Sequence, residues 1–158
     1  MLAAIRPDSW NLPLLLHVLG ASILLGALIT AVTAQLLAWK RRAPADVLPY
    51  ARLSFRTLLI VAIPAWLLMW LGALWTASRE GLDNLDEDPA WLVIGYSTAE
   101  PGGVLLLIST ILAGLGARRL GRSNGEQGAT LVRVATVLAV LLVIAYVIAT
   151  WAMSAKPD

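Results

Sequence analysis

The sequence predicts an all-α integral membrane protein, a four-helix bundle with both termini on the extracytoplasmic side. Three observations lead to this prediction: the composition, four apolar runs without charge, and the uneven distribution of basic residues around those runs. Of the 158 residues, 59% are apolar and 14% are charged, and the mean hydropathy is +0.77. Soluble domains carry about 25% charged residues. The composition therefore excludes an ordinary cytosolic enzyme, a nucleic-acid-binding module and a disordered chain.

The four apolar runs are Leu12–Trp39, Leu58–Thr76, Pro101–Ala117 and Val134–Met153, and none of them contains Asp, Glu, Lys or Arg. A helix that crosses a bilayer needs about 20 mostly apolar residues. Because backbone groups in lipid must be satisfied within their own segment, each run is predicted to be an α-helix. The first run exceeds the 7–15 apolar residues of a signal peptide, so we expect it to be retained as a span. Residues 1–158 then form a single transmembrane domain.

The basic residues give the predicted orientation. The loops after the first and third runs hold nine of them, namely Lys40, Arg41, Arg42, Arg52, Arg56, Arg118, Arg119, Arg122 and Arg133. The opposite side has Arg6, Arg79 and Lys156. Positively charged loops stay in the cytoplasm. The pattern predicts a multi-pass membrane protein whose partner is the lipid bilayer and not a nucleic acid.

The first helix carries two faces suited to close packing. Ser22, Gly26 and Thr30 recur every fourth residue, and such small-xxx-small rows let helix backbones approach closely in membranes. A second stripe holds His17 and Gln35, five helical turns apart. We therefore predict that this helix is central to the bundle, or that it packs against a second copy or a larger membrane complex. Replacing Gly26 with Leu is expected to destabilise the protein.

A few residues within the runs are candidates for chemistry. His17 is either a haem or copper ligand or an imidazole hydrogen-bonded to a neighbouring helix. Glu100 is either an ion site facing a cavity or the N-terminal anion of a helix that begins at Pro101. Trp66 and Trp70, one turn apart after a helix-kinking Pro64, line a cofactor pocket, belong to the bundle core or contact lipid. No catalytic residue is identified, because phosphate-binding loops, nucleophile elbows and paired intramembrane carboxylates are missing from the sequence.

The stretch Leu16–Ser22, followed by Gly26, resembles the first helix of copper-resistance D-type proteins and of related uncharacterised bacterial integral membrane proteins. The membrane protoporphyrinogen oxidase family has a comparable histidine-bearing helix. The resemblance implies that His17 is a haem or metal ligand. The chain has no further histidine, however, so the uncharacterised group is the better match.

Three functions follow as hypotheses. The leading one is a non-catalytic membrane subunit or binding protein that uses its first helix for interaction. The second is a haem- or copper-binding redox protein that uses His17. The third is a small-solute transporter with an entrance near His17 and Glu100.

Overall fold

The computed structural model of the protein describes residues 11–41, 43–82, 89–122 and 125–155, and all regular structure in these residues is helical. The elements are α1 (Asn11–Trp39), α2 (Pro44–Thr57), a π-helical turn (Leu58–Ala62), α3 (Ile63–Glu80), α4 (Ala90–Leu120) and α5 (Gly125–Ala155). Because α2, the π-turn and α3 are continuous, the described residues form four long helices. All four are long and apolar enough to cross a membrane, which confirms the all-helical prediction and the number of long apolar helices.

Two helices begin earlier than the apolar runs predict. The second long helix begins at Pro44 instead of Leu58, and α4 begins at Ala90 instead of Pro101. Absence of charge marks the apolar part of a helix, whereas the helix itself continues into polar sequence. Glu100 therefore lies inside α4, and its interpretation as the anion at a helix N-terminus is wrong.

The helices form a ring in which each packs on its neighbours in the sequence and α5 closes on α1. Among the described residues α1 and α4 make no contact, so they lie on opposite corners. In the most apolar window of α4, 50% of the residues are buried, against 28% for α1. In these windows α4 is more buried than α1, and in a ring of four helices none is central. Of the two alternatives predicted for the first helix, contact with a second copy or a larger complex stays a prediction.

Two ends of the bundle are distinguished by their helix termini. The terminal end holds Asn11, Glu80, Ala90 and Ala155. The basic end holds the other terminus of each long helix, at Trp39, Pro44, Leu120 and Gly125. Most of the lysine and arginine residues lie at this second end.

The π-turn changes the partner of the second long helix. In this turn the backbone N–H of Ile63 bonds to the carbonyl of Leu58, one residue beyond the α-helical partner. The next residue, Pro64, has no N–H to continue the regular ladder, and wide turns and bends are common next to proline. Before the turn α2 packs on α1 and α4, whereas after it α3 packs mainly on α1.

Two glycines set the contact between α1 and α3. A Cβ atom added at Gly20 would overlap the backbone of Met69, and one added at Gly72 would lie 2.5 Å from the backbone nitrogen of His17. Neither position has room for a side chain without a shift of the facing backbone. The two helices therefore approach to backbone contact near the terminal end.

Bulky apolar side chains cover the outside of the bundle. Ile60 is 66% exposed and Trp151 is 60% exposed, and similar residues lie on the outer surface of every long helix. Soluble monomers rarely expose contiguous apolar patches of this kind. The exposed surface suits lipid.

Candidate functional site

His17 joins α1 to α3 beside their glycine contact. Its Nδ1 atom lies 2.9 Å from the backbone carbonyl oxygen of Met69. Because a carbonyl only accepts, Nδ1 carries the proton and donates it, which leaves the lone pair on Nε2. The half-buried imidazole thus holds two helices together where their backbones already touch.

The hydrogen bond that His17 makes to a backbone carbonyl is also found in metal-ligating histidines. A ligating histidine commonly donates its second N–H to a carbonyl, as His17 does, so one coordinating nitrogen is available. The described part of the chain, however, contains no group of three or more His, Cys, Asp or Glu residues that could hold a metal ion. His17 offers a single ligand, and a haem or copper site here would need further ligands from elsewhere, such as a second copy of the chain.

Trp66 and Trp70 pack as a stacked pair between α3 and α4. Their ring centroids are 5.8 Å apart and their planes differ by 12°. The Nε1–H of Trp66 donates to the backbone carbonyl of Ala99 at 2.9 Å. The ring of Trp66 fills the space that a side chain at Gly103 would take. These contacts give the pair a packing role in the bundle.

Glu100 lies on the outer surface of α4 and is exposed. It lines neither of the two clefts at the basic end. Because α1 and α4 make no contact among the described residues, the structure does not bring Glu100 together with His17 into one site.

The row formed by Ser22, Gly26 and Thr30 faces away from the bundle. All three residues are exposed, and a Cβ atom added at Gly26 would meet nothing within 4 Å. The hydroxyls of Ser22 and Thr30 donate to carbonyls one turn earlier in α1, each at 2.8 Å. The hydroxyls of the row are thus satisfied within α1, and none of the described helices packs on it.

Two buried polar side chains were not identified from the sequence as parts of one region. Gln35 on α1 and Ser54 on α2 are both fully buried, and their side-chain polar atoms have no hydrogen-bond partner. Residues that face each other across α1 and α3 have numbers that add to about 89, as in the pair Gly20 and Met69. The numbers of Gln35 and Ser54 also add to 89, so the two residues lie at about the same height along the antiparallel helices.

The basic end holds a cleft between α2 and α4 that sequence reasoning also missed. Arg52 and Arg56 line it from α2, Arg118 lines it from the last turn of α4, and Arg122 lines it from the turn after α4. Arg52 and Arg56 have the four-residue spacing of one helix face. That spacing is visible in the sequence, but it becomes informative only once residues 44–57 are known to be helical.

No protein-family model matches this sequence, and no curated protein and no solved structure is significantly similar to it. The fold and the residues described above define a class only: a small all-helical bundle whose four long helices are apolar enough to cross a membrane.

Proposed function

We propose that this chain is a multi-pass protein of the bacterial plasma membrane, with both termini extracytoplasmic, that acts without catalysis as a membrane subunit or binding protein. Its contact helix is α1, and the partner is a second copy of the chain or another membrane subunit. The resemblance of Leu16–Ser22 to small bacterial integral membrane proteins is consistent with this proposal.

The observation that carries the proposal is the outward position of Ser22, Gly26 and Thr30. Close packing between α1 and α3 uses Gly20 and Gly72 instead, so this second row of small residues has no packing partner among the described residues. Small residues at such spacing allow two membrane helices to approach closely, and dispersion forces then hold the helices together. A row turned toward lipid is suited to a helix from another chain.

Disulfide cross-linking in native membranes tests this assignment. The chain has no cysteine, so each substitution introduces a single thiol. We expect Ser22→Cys and Thr30→Cys to form a disulfide-linked dimer on mild oxidation. Val137→Cys and Leu141→Cys, at exposed positions of α5, are the matched controls and should remain monomeric.

The size of the product separates the two kinds of partner. A homodimer identifies the partner as a second copy. The partner is another subunit if the α1 thiols do not dimerise and one membrane protein co-purifies with the wild type but not with Gly26→Leu. Equal cross-linking from α5, or neither a dimer nor a partner, would reject α1 as the contact helix.

A redox function is the second candidate, favoured by the available Nε2 atom of His17. An absorption spectrum and a metal analysis of the purified protein test it directly. A haem band or bound copper that disappears in His17→Ala would support ligation. A colourless, metal-free protein, with His17→Ala changing stability alone, would leave His17 its role in helix packing.

A further inference from the structure

We propose that the cleft between α2 and α4 at the basic end binds the phosphate group of an anionic phospholipid. This inference relies on the membrane location in the proposed function, but it concerns a different surface from the α1 row. It is carried by the combination of a cleft, four arginines and an apolar floor.

The cleft has a volume of about 360 Å³. Its lining comes from α2, from the last turns of α4 and from the two residues after α4, namely Arg52, Phe55, Arg56, Gly114, Ala117, Arg118, Gly121 and Arg122. A phosphodiester group with its glycerol is smaller than this volume, so the headgroup of a phospholipid fits within it.

The four arginines have no partner of opposite charge among the described residues. Within the residues that the structure describes, none of them forms an ion pair or a side-chain hydrogen bond. The guanidinium of Arg52 extends across to α4, where its Nη2 lies 3.7 Å from a Cβ position at Gly121. Four like charges around one cleft repel each other, and a bound anion relieves that repulsion. Guanidinium groups bind phosphate oxygens in bidentate geometry, which makes arginine well suited to this anion.

The floor of the cleft is apolar. The ring of Phe55 lies over Gly114, where a Cβ atom would be 2.7 Å from the ring. Exposed apolar side chains continue from the cleft toward the middle of the helices, with Leu59 after Phe55 and Ile111 and Leu115 before Arg118. A phospholipid combines an anionic group with acyl chains that cover such a surface. Free phosphate would leave the apolar part uncovered, which favours the lipid.

The helix dipole of α4 opposes anion binding, but its charge is small compared with the charge of the four arginines. The cleft lies at the C-terminal end of α4, where the helix dipole places about half a negative charge. Four guanidinium groups carry four positive charges. The net field in the cleft is therefore strongly positive.

The test measures lipid binding by native mass spectrometry of the purified protein. Phosphatidylglycerol is compared with phosphatidylcholine of the same acyl chains, and inorganic phosphate is added alone in a third arm. The double variant Arg56→Gln and Arg118→Gln removes two charges from the cleft. Its matched control, Arg119→Gln and Arg133→Gln, removes two charges from the same end of the bundle outside the cleft.

We expect the wild type to retain one phosphatidylglycerol more tightly than phosphatidylcholine. An arginine that binds the phosphate directly contributes at least about fivefold to the affinity, so the cleft variant should bind at least about 30-fold more weakly. The arginines of the control variant do not line the cleft, and salt screens their charge over about 10 Å, so this variant should stay within about threefold of the wild type. If the first cleft variant does not fold, Arg52→Gln with Arg122→Gln makes the same test.

Several results would overturn the proposal. Equal weakening in the control variant would mean diffuse charge and no site, and equal binding of phosphatidylcholine would mean no anion recognition. Displacement of the lipid by millimolar phosphate would make the cleft a phosphate site. Loss of a co-purifying acidic protein from the cleft variant, with lipid binding unchanged, would make it a protein interface. Release of the chain from membranes by alkaline carbonate would instead reject the membrane location itself.

Discussion

Gly20 and Gly26 lie on the same helix but on different faces, and they have different roles. At Gly20 the backbone of α3 occupies the position of a side chain, whereas at Gly26 the space is open. Close approach of two helices therefore depends on where a glycine faces and not on membership of a small-residue row.

We expect Gly20→Ala to destabilise the protein, because the added methyl group must displace the backbone of Met69. Overpacking of this kind costs about 1–3 kcal/mol. Gly26→Ala is the matched control and should leave the stability of the monomer unchanged or slightly higher, since alanine favours helix by about 1 kcal/mol. Thermal unfolding of both variants in detergent measures the difference. A larger loss for Gly26→Ala would contradict the orientation of α1.

The sequence marks both glycines but does not distinguish them. Because α1 is apolar around its whole circumference, hydrophobic periodicity gives no information about which face meets the bundle. The stripe with His17 and Gln35 does face inward, and its polar side chains were the better indicator. Inside a bilayer, polarity and small size report a helix interface only when the partner surface is known.

At the scale of elements, three side chains connect consecutive helices through backbone carbonyls. His17 connects α1 to α3, Trp66 connects α3 to α4, and Ser109 donates to the carbonyl of Ala135 at 3.0 Å to connect α4 to α5. Each bond crosses a different interface of the ring. Such bonds average about 0.6 kcal/mol in membrane helices, so they orient the helices more than they hold them together.

The stacked tryptophans allow this contribution to be measured. Trp66→Phe keeps an aromatic ring but removes the bond to Ala99, and we expect a loss of about 0.6–1.7 kcal/mol. Trp70→Phe is the control, because the buried Nε1 of Trp70 has no hydrogen-bond partner. Both substitutions remove the same part of an indole ring, so Trp66→Phe should be less stable than Trp70→Phe by about 0.6–1.7 kcal/mol. The free energy of unfolding of the two variants, compared under the same conditions, tests the assignment; equal losses would argue against it.

The spans were predictable at this scale, but their bounds were not. Lack of charge over about 20 residues is a strong signal, since charge is costly in lipid. The amphipathic α2 has no such signal, and its two prolines, Pro44 and Pro49, favour a loop in a sequence-based reading. Tertiary packing against α1 and α4 maintains the helix in spite of Pro49. The arginine cleft depends on α2 and was missed for the same reason.

At the scale of the whole molecule, the two ends of the bundle differ in charge. The sequence predicts this asymmetry correctly, because consecutive long helices run in opposite directions. In a bundle of four such helices, the basic segments after the first and third helices lie at the same end. The orientation relative to the membrane is an inference from the same asymmetry.

Thiol labelling of intact cells measures that orientation. Ala43→Cys reports the basic end and Ser78→Cys reports the terminal end, and both positions are exposed. With a membrane-impermeant reagent we expect Ser78→Cys to be labelled in whole cells and Ala43→Cys to be labelled only after lysis, since basic loops remain cytoplasmic. The reverse pattern would place both termini in the cytoplasm.

The π-turn at Leu58–Ala62 also affects how the chain tolerates changes in length. Elsewhere in a long helix, removal of one residue rotates everything beyond it by about 100° and turns buried side chains outward. A π-turn already holds one residue more than an α-helical turn. Loss of one residue from Leu59–Val61, which are exposed, would convert the turn to α-helix and keep the faces of α2 and α3 in place. This turn is where the second long helix can absorb the deletion of a single residue.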